Sequence, residues 1–145
     1  MRAVVQRVLS ARVVVADDVV GEMQEGLLCL VAAREGDGEQ QADEMARKLV
    51  HLRILADEEG RMNRSLLDTG GSLGVVSQFT LYGDCSRGRR PFFGEAAAPE
   101  LAEPLLERLI DTAREHGVRV VTGRFGAQMR VDLENDGPVT LIVDV

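Results

Sequence analysis

The sequence predicts one α+β domain over residues 1–145, in which a curved, mostly antiparallel, barrel-like β-sheet carries two main helices on its outside. Three observations lead to this prediction. Apolar segments of strand length dominate both ends of the chain, two segments show helical periodicity, and no linker or break in composition divides the chain. With 45% apolar and 28% charged residues, a chain of this length can form its own core.

The first part of the chain is predicted to form strands. Valine-rich or alternating segments indicate strands at 2–9, 11–15, 19–23 and 26–33, with a hairpin turn at Ala16-Asp17-Asp18. The segment 26–33 is a continuous apolar run, which is typical of a central strand. Cys29 lies within it and is therefore predicted to be a core residue.

A helix is predicted next. Asp37 is a candidate N-cap, with Gln40 three residues later as in a capping box. Apolar residues then recur at helical spacing and define one face, namely Ala42, Met45, Ala46, Leu49 and Val50. Residues 52–55 are predicted to return to a strand.

The second half repeats the alternation of strand and helix. A strand is predicted at 72–81, followed by a long Gly- and Arg-rich loop at 83–98 and a helix at 99–116. Pro104 lies inside this helix, which predicts a kink or a later start. The last three strands are predicted at 118–122, 127–134 and 139–144, with a turn at 135–138 that joins the last two.

Charge argues against a general nucleic-acid-binding surface, because the net charge is −7 and phosphate backbones favour basic proteins. A local exception is the cluster Arg87, Arg89 and Arg90. This cluster has two interpretations, contacts with nucleic-acid phosphates or an ordinary solvated loop.

The N-terminal segment does not resemble a targeting signal, because polar residues interrupt it early. No apolar run approaches the ~18 residues of a membrane span. Two cysteines do not form a disulfide framework. A cytoplasmic protein without a membrane partner is therefore expected.

The usual catalytic motifs are missing. The two histidines, His51 and His116, are interpreted as structural, and no nucleophile elbow, phosphate-binding loop or Cys/His metal-binding spacing is present. A catalyst built from this chain would rely on backbone donors and hydroxyls. Such groups suffice for an activated substrate, for example an amino acid esterified to a ribose hydroxyl.

Two segments carry a resemblance to a known family. Ser77-Gln78-Phe79-Thr80-Leu81 and Asn135-Asp136-Gly137-Pro138-Val139-Thr140 resemble the two signatures of the D-aminoacyl-tRNA deacylases, also known as the D-tyrosyl-tRNA deacylase family. Segments 1–8, 88–93 and 123–129 resemble further shared stretches in the same order. One departure is Phe92, where a small polar residue is expected in relatives.

The resemblance implies a cytoplasmic homodimer that hydrolyses D-aminoacyl-tRNA to D-amino acid and free tRNA without metal or cofactor. It places the active site at the subunit interface, where a cis Gly137-Pro138 unit reaches into the partner's pocket. Its main chain would reject the Cβ of an L-amino acid and accept D-amino acids, and glycine to some degree. From the residues alone, an ordinary trans turn at Gly137-Pro138 is the commoner case.

The resemblance and the residue chemistry together give the candidate site. Catalytic candidates are Phe79 and Thr80, substrate-binding candidates are Ser77, Gln78, Gly137, Pro138, Phe125, Met129 and Arg7, and tRNA-binding candidates are Arg87, Arg89 and Arg90. Thr80 is either a nucleophile or part of a pocket in which backbone amides bind the ester carbonyl. Phe79 and Phe125 either line the pocket or pack in the core. Arg7 needs a partner, because it lies in an otherwise apolar strand.

Two rival functions remain at this point. A Thr- or Ser-dependent esterase would hydrolyse small D-amino acid esters without RNA. A non-catalytic module for nucleic-acid or protein binding would bind its partner without product release.

Overall fold

The structure is a computed structural model that describes residues 1–145. It contains three helices, α1 (Glu39–His51), α2 (Leu66–Thr69) and α3 (Pro99–Glu115). Its strands are β1 (Arg2–Val15), β2 (Asp18–Met23), β3 (Gly26–Ala32), β4 (Leu55–Ala56), β5 (Met62–Arg64), β6 (Ser72–Ser77), β7 (Val120–Thr122) and β8 (Met129–Asp144). The predicted barrel-like α+β fold class is confirmed.

Strand β1 is the centre of the main sheet. One edge of β1 pairs with β8 along most of its length, and the other edge pairs first with β3 and then with β2, all antiparallel. The predicted strands 2–9 and 11–15 are therefore one strand. Their boundary is an irregularity between Val8 and Ser10, which sequence patterns alone do not distinguish from a break.

The prediction that the turn at 135–138 joins two separate strands is wrong. Both halves of β8 pair with β1 in the same direction, with Thr140 opposite Gln6 and Asn135 opposite Val8. The residues between Asn135 and Thr140 therefore bulge out of one continuous strand. The residues Asn-Asp-Gly-Pro are typical of turns, but here they form a bulge in an edge strand.

The other half of the sheet is parallel, because β3 pairs with β6 and β6 pairs with β7. Strands β2 and β7 then approach each other and nearly close the barrel. A Cβ at Gly21 would lie only 2.5 Å from the carbonyl oxygen of Thr122, so glycine permits this approach.

Helices α1 and α3 pack together on one face of the sheet. The predicted apolar face of α1 is fully buried in the main core, which also contains Cys29 as predicted. Asp43 joins the helices through Arg108 and Thr112, whose hydrogen bonds lower the pKa of Asp43 to about 2. No helix is both long and apolar enough to cross a membrane.

Several predicted boundaries were wrong. The N-cap of α1 is Gly38, whose amide donates to the side chain of Gln41, because Asp37 instead accepts from Arg34 and pairs with the N-terminal ammonium group. Helix α3 begins at Pro99, so Pro104 does not delay its start.

Two segments of the middle region also differ from the prediction. The predicted strand 52–55 is reduced to the two residues of β4, which pair with β5. The predicted strand 72–81 ends at Ser77, and the chain continues as a 3₁₀ turn, Phe79–Tyr82. Since Phe, Thr, Leu and Tyr suit strands by composition, only tertiary contacts reveal this change.

Candidate active site

A small cleft lies where β6 ends and the first signature begins. Its volume is about 250 Å³, and its lining comes from two parts of the chain, Val76, Ser77, Gln78 and Phe79 on one side and Gly126, Ala127, Met129 and Val131 on the other. Ser77 is still paired in register with Val31 of β3. The amide of Gln78 also donates to the Val31 carbonyl, at 2.8 Å, so the sheet fixes the position of this side of the cleft.

The 3₁₀ turn begins at Phe79, which lines the cleft, and Thr80 follows it. The amide of Leu81 is used, because it donates to the carbonyl of Gln78 at 3.2 Å. The amides of Phe79 and Thr80 are the first of the turn, where helical geometry provides no internal acceptor. Neither donates to a loop carbonyl or to a side chain. Two N–H groups that have no acceptor within the turn therefore lie at this strand end.

The side chain of Thr80 has no base beside it. Its hydroxyl oxygen accepts a short hydrogen bond from the side-chain amide of Gln78, and no histidine, lysine or carboxylate contacts it. His51 and His116 instead pack edge to face against each other, with ring centroids 5.5 Å apart. The arrangement therefore offers no general base to activate Thr80 as a nucleophile.

The two candidates from the segment before β8 are placed differently. Met129 lines the cleft, whereas Phe125 packs against the main core. Gly126 and Ala127, which lie between Phe125 and Met129 in the sequence, also line the cleft, although the sequence analysis assigned them no role. The only signal for these two small residues was their position inside the shared segment 123–129.

The arginine cluster forms the tip of a loop beside the cleft. Reciprocal backbone hydrogen bonds between Asp84 and Phe92, of 2.7 and 2.9 Å, close the base of this loop. All three arginines are exposed, and none forms an ion pair. Their charges are therefore free to meet an anionic partner.

The second signature forms the bulge of β8, in which Gly137 and Pro138 are exposed. The Gly137-Pro138 peptide bond is cis, and Gly137 has a φ of +117°. The side chain of Asn135 holds the base of the bulge in place, because its Nδ2 donates hydrogen bonds to the carbonyl oxygens of Arg7 and Val139. These hydrogen bonds were not predicted, although Asn135 belongs to the signature.

Arg7 supports the bulge from below. Its Nη1 donates to the carbonyl oxygen of Ile54 at 2.8 Å, and its guanidinium group forms an ion pair with Asp136. The Nε of Arg7 lies 2.8 Å from the Asp136 carboxylate, yet its N–H does not point at this oxygen and finds no acceptor. The contact between Arg7 and Asp136 is therefore an ion pair without a hydrogen bond from Nε, and the hydrogen bond of Arg7 goes to the carbonyl oxygen of Ile54.

The two signatures do not meet within one chain. Ser77 lies in one register row with Val31, Ala3 and Val143, whereas Gly137 emerges beside Arg7. Three strand spacings and four residues of strand separate the two places, which corresponds to a distance on the order of 20 Å. A single chain therefore presents the cleft and the bulge as separate features.

The face of the sheet opposite the helices carries an apolar row. Ile142, Val4, Leu30 and Val76 lie opposite one another on β8, β1, β3 and β6. Ile142 is 70% exposed, while Val76 lines the cleft. The row therefore runs from the free edge of the sheet to the cleft. Only its Ile142 end is exposed, because Val4 and Leu30 are partly buried and Val76 is buried, so the candidate contact surface lies at the sheet edge.

Comparisons with known proteins identify the class. The family description "D-Tyr-tRNA(Tyr) deacylase" matches residues 4–144. The D-aminoacyl-tRNA deacylase of Roseiflexus sp. is 59% identical over 99% of this chain and 93% of that protein, and the one of Brevibacillus brevis is 56% identical over 99% of both.

Solved structures agree in fold. The structure of the c-Myc DNA Unwinding Element Binding Protein superposes with a TM-score of 0.93, at 34% identity over 100% of this chain and 99% of that chain. A probable eukaryotic D-amino acid tRNA deacylase superposes with a TM-score of 0.86 at 20% identity, over 99% and 98% of the two chains, and shows the shared fold.

The matching family and relatives are deacylases, a class of ester hydrolase, and the lining of the cleft at the end of β6 contains no catalytic triad. The chain belongs to the D-aminoacyl-tRNA deacylase family. The resemblance seen in the two signatures is thereby confirmed.

Proposed function

We propose that this enzyme hydrolyses D-aminoacyl-tRNA to free tRNA and D-amino acid in the cytoplasm, rejects L-aminoacyl-tRNA, and accepts glycyl-tRNA to some degree. The observation that carries this proposal is the pair of free amides of Phe79 and Thr80 beside a cleft without a catalytic base. Such a site suits an ester whose own chemistry supplies the rest of the catalysis.

The proposed mechanism depends on the backbone. The amides of Phe79 and Thr80 donate to the ester carbonyl oxygen and stabilise the negative charge that develops when water attacks. The neighbouring 2′-hydroxyl of the terminal ribose assists the attacking water. The ester bond breaks, the ribose 3′-oxygen takes up a proton, and the amino acid leaves as its carboxylate. Ser77 and Gln78 hold the strand end, and Met129 closes the opposite wall.

Handedness is assigned to the bulge of β8. Gly137 has no side chain, and the residues on either side of Gly137-Pro138 are held by Arg7 and Asn135, so the bulge presents mainly main-chain atoms. A D-amino acid turns its Cα–H toward such a surface, whereas an L-amino acid would push its Cβ into it. Because no side chain reads the substrate, many D side chains are accepted, and glycine meets no steric barrier.

The cleft and the bulge act together only if a second copy takes part. We assign the exposed end of the apolar row, at Ile142 on the edge strand β8, to a two-fold interface, in which the same surface of each subunit meets the other. Each bulge would then enter the partner's cleft. Two observations support this arrangement. The outer edge of β8 is not paired with another strand, and the two signatures lie on the order of 20 Å apart within one chain.

The proposed function is tested by measuring the release of radiolabelled tyrosine from D-Tyr-tRNA and L-Tyr-tRNA at equal concentrations. We expect turnover of the D form only. Comparable rates on both forms would refute chiral rejection. Hydrolysis of D-tyrosine ethyl ester at the same rate as D-Tyr-tRNA would favour the small-ester esterase instead.

The role of the Thr80 hydroxyl gives a further prediction. Thr80→Ala should retain most of its turnover, because the variant keeps the backbone amide and loses only a hydroxyl without a base. A D-Tyr-tRNA whose terminal ribose lacks the 2′-hydroxyl should be turned over very slowly by the wild-type enzyme. Single-turnover deacylation measures both. Near-complete loss in a folded Thr80→Ala variant, with unchanged turnover of the deoxy substrate, would establish Thr80 as the nucleophile.

The arginine loop gives a prediction on salt dependence. Replacing Arg87, Arg89 and Arg90 by glutamine should weaken tRNA binding and reduce the slope of log KM against log salt concentration by about two to three, roughly one for each lost phosphate contact. The matched control replaces three other exposed arginines, Arg47, Arg61 and Arg114, and gives the same net charge. Equal slopes in the two triple variants would assign the effect to net charge and not to this loop.

A binding module without catalysis is the second candidate. It is favoured by the 34% identical structure, which is that of the c-Myc DNA Unwinding Element Binding Protein. It predicts that tRNA is bound but that its charged amino acid is never released. The tyrosine-release assay distinguishes the two functions directly.

A further inference from the structure

We propose that Phe92 is a stacking platform for one unpaired base in the 3′ tail of the tRNA substrate. This inference rests on the proposed function and adds a residue that positions the substrate outside the cleft. It starts from an unusual surface feature, since Phe92 is 69% exposed in a chain with only four phenylalanines.

The ring of Phe92 is supported on one side by its own loop. It lies against the backbone of Gly94, where any Cβ would overlap the ring. The two hydrogen bonds between Asp84 and Phe92 fix the backbone on the preceding side. The ring thus contacts Gly94 on one side, while most of the side chain is open to solvent. A ring held in this way loses little conformational freedom when a base stacks on it.

The platform is linked to the cleft through the next residue. Phe93 turns inward and packs edge to face on Phe79, with ring centroids 5.2 Å apart, and it also contacts Gly83. Phe92 turns outward, as neighbouring residues of an extended segment do. A nucleotide on Phe92 would therefore lie next to one whose ester is held at the amides of Phe79 and Thr80.

Charge identifies the occupant as nucleic acid. The same loop carries Arg87, Arg89 and Arg90, none of which has a carboxylate partner, in a chain with a net charge of −7. An exposed aromatic ring beside free guanidinium groups matches a base and its flanking phosphates. The acceptor end of tRNA provides unpaired bases, whereas paired bases in the stem have no free face for stacking.

The test uses tRNA with its unpaired 3′ end intact and the same tRNA with these nucleotides removed. Phe92→Ser should weaken binding of intact tRNA about 5- to 30-fold, in the range of one base–aromatic stack. Phe92→Trp should restore binding, and Phe92→Leu, which is apolar without a π face, should not. Met62→Ser, at another exposed apolar residue, is the control and should bind as the wild type does.

The trimmed tRNA distinguishes stacking from damage to the loop. It should bind the wild type and Phe92→Ser with equal affinity, because the base that stacks is gone. The D-tyrosyl ester of adenosine, which has no tail, should be hydrolysed equally by both. Wild-type affinity of Phe92→Leu for intact tRNA, or equal weakening of Phe92→Ser on both RNAs, would overturn the inference.

The inference and the proposed function can fail separately. If the wild type releases tyrosine from D-Tyr-tRNA but Phe92→Ser binds and reacts normally, the stacking role is refuted alone. If Phe92 governs tail binding but no D-Tyr-tRNA is hydrolysed, the proposed function fails and the stacking role stands.

Discussion

Phe79→Pro is expected to lower the kcat for D-Tyr-tRNA about 10²–10³-fold relative to Phe79→Ala, the usual effect of removing one oxyanion donor. Both variants lose the ring, which is 57% exposed, but only proline loses the backbone N–H. The comparison therefore isolates one hydrogen-bond donor from everything else that residue 79 does.

The geometry allows this substitution. Phe79 is the first residue of the 3₁₀ turn, a position where proline is accepted because its N–H has no partner within the helix. The preceding Gln78 has φ −150° and ψ 77°, outside the helical region that proline disfavours in its neighbour. The melting temperature of Phe79→Pro should match that of Phe79→Ala. Equal kcat values in two folded variants would show that this amide does not bind the oxyanion.

The sequence could predict those parts of the site and fold that are formed by residues close together in the chain. The apolar strand that leads to Ser77 and the helical faces depend on residues close in sequence, and periodicity finds them, although it misses the change to a 3₁₀ turn after Ser77. The lining from Gly126 and Ala127 comes from a distant segment and carries only small side chains, which give no pattern. Only packing across the sheet brings these two parts together.

The bulge of β8 also could not be predicted from local sequence. Asn-Asp-Gly-Pro is a strong turn signal, and a hairpin was the natural interpretation. The alternative depends on both halves of β8 pairing with β1 at the opposite end of the chain, which no local signal reports. The partner of Arg7 was hidden for the same reason, because Asp136 and the Ile54 carbonyl are both remote in sequence.

Gly137→Ala is expected to reduce the turnover of D-Tyr-tRNA at least about 100-fold, the cost of a displacement of about 1 Å in a positioned group. The φ of +117° is strained for alanine, and the new Cβ would lie 2.9 Å from Cγ2 of Val139 and 3.1 Å from Nη2 of Arg7. The bulge must shift to relieve these contacts. Steady-state deacylation of D-Tyr-tRNA measures the effect.

A matched control is Gly60→Ala. Gly60 also has a left-handed φ, of +77°, but a Cβ there meets no atom within 4 Å. Both variants bear the strain of alanine in this region, and both should show a similar small fall in melting temperature. Only Gly137→Ala should lose activity. Wild-type turnover in Gly137→Ala, or a loss of the same size in Gly60→Ala, would remove the bulge from the active site.

Combining the two inactive variants decides whether the site is shared. If the bulge of one subunit completes the cleft of the other, a dimer of one Phe79→Pro chain and one Gly137→Ala chain contains one intact site and one doubly damaged site. Random pairing after co-refolding makes half of the dimers mixed, so about a quarter of the wild-type activity should return. If each chain contained its own complete site, every site would stay damaged and no activity would return. The roughly 20 Å between the two signatures within one chain predicts the first result.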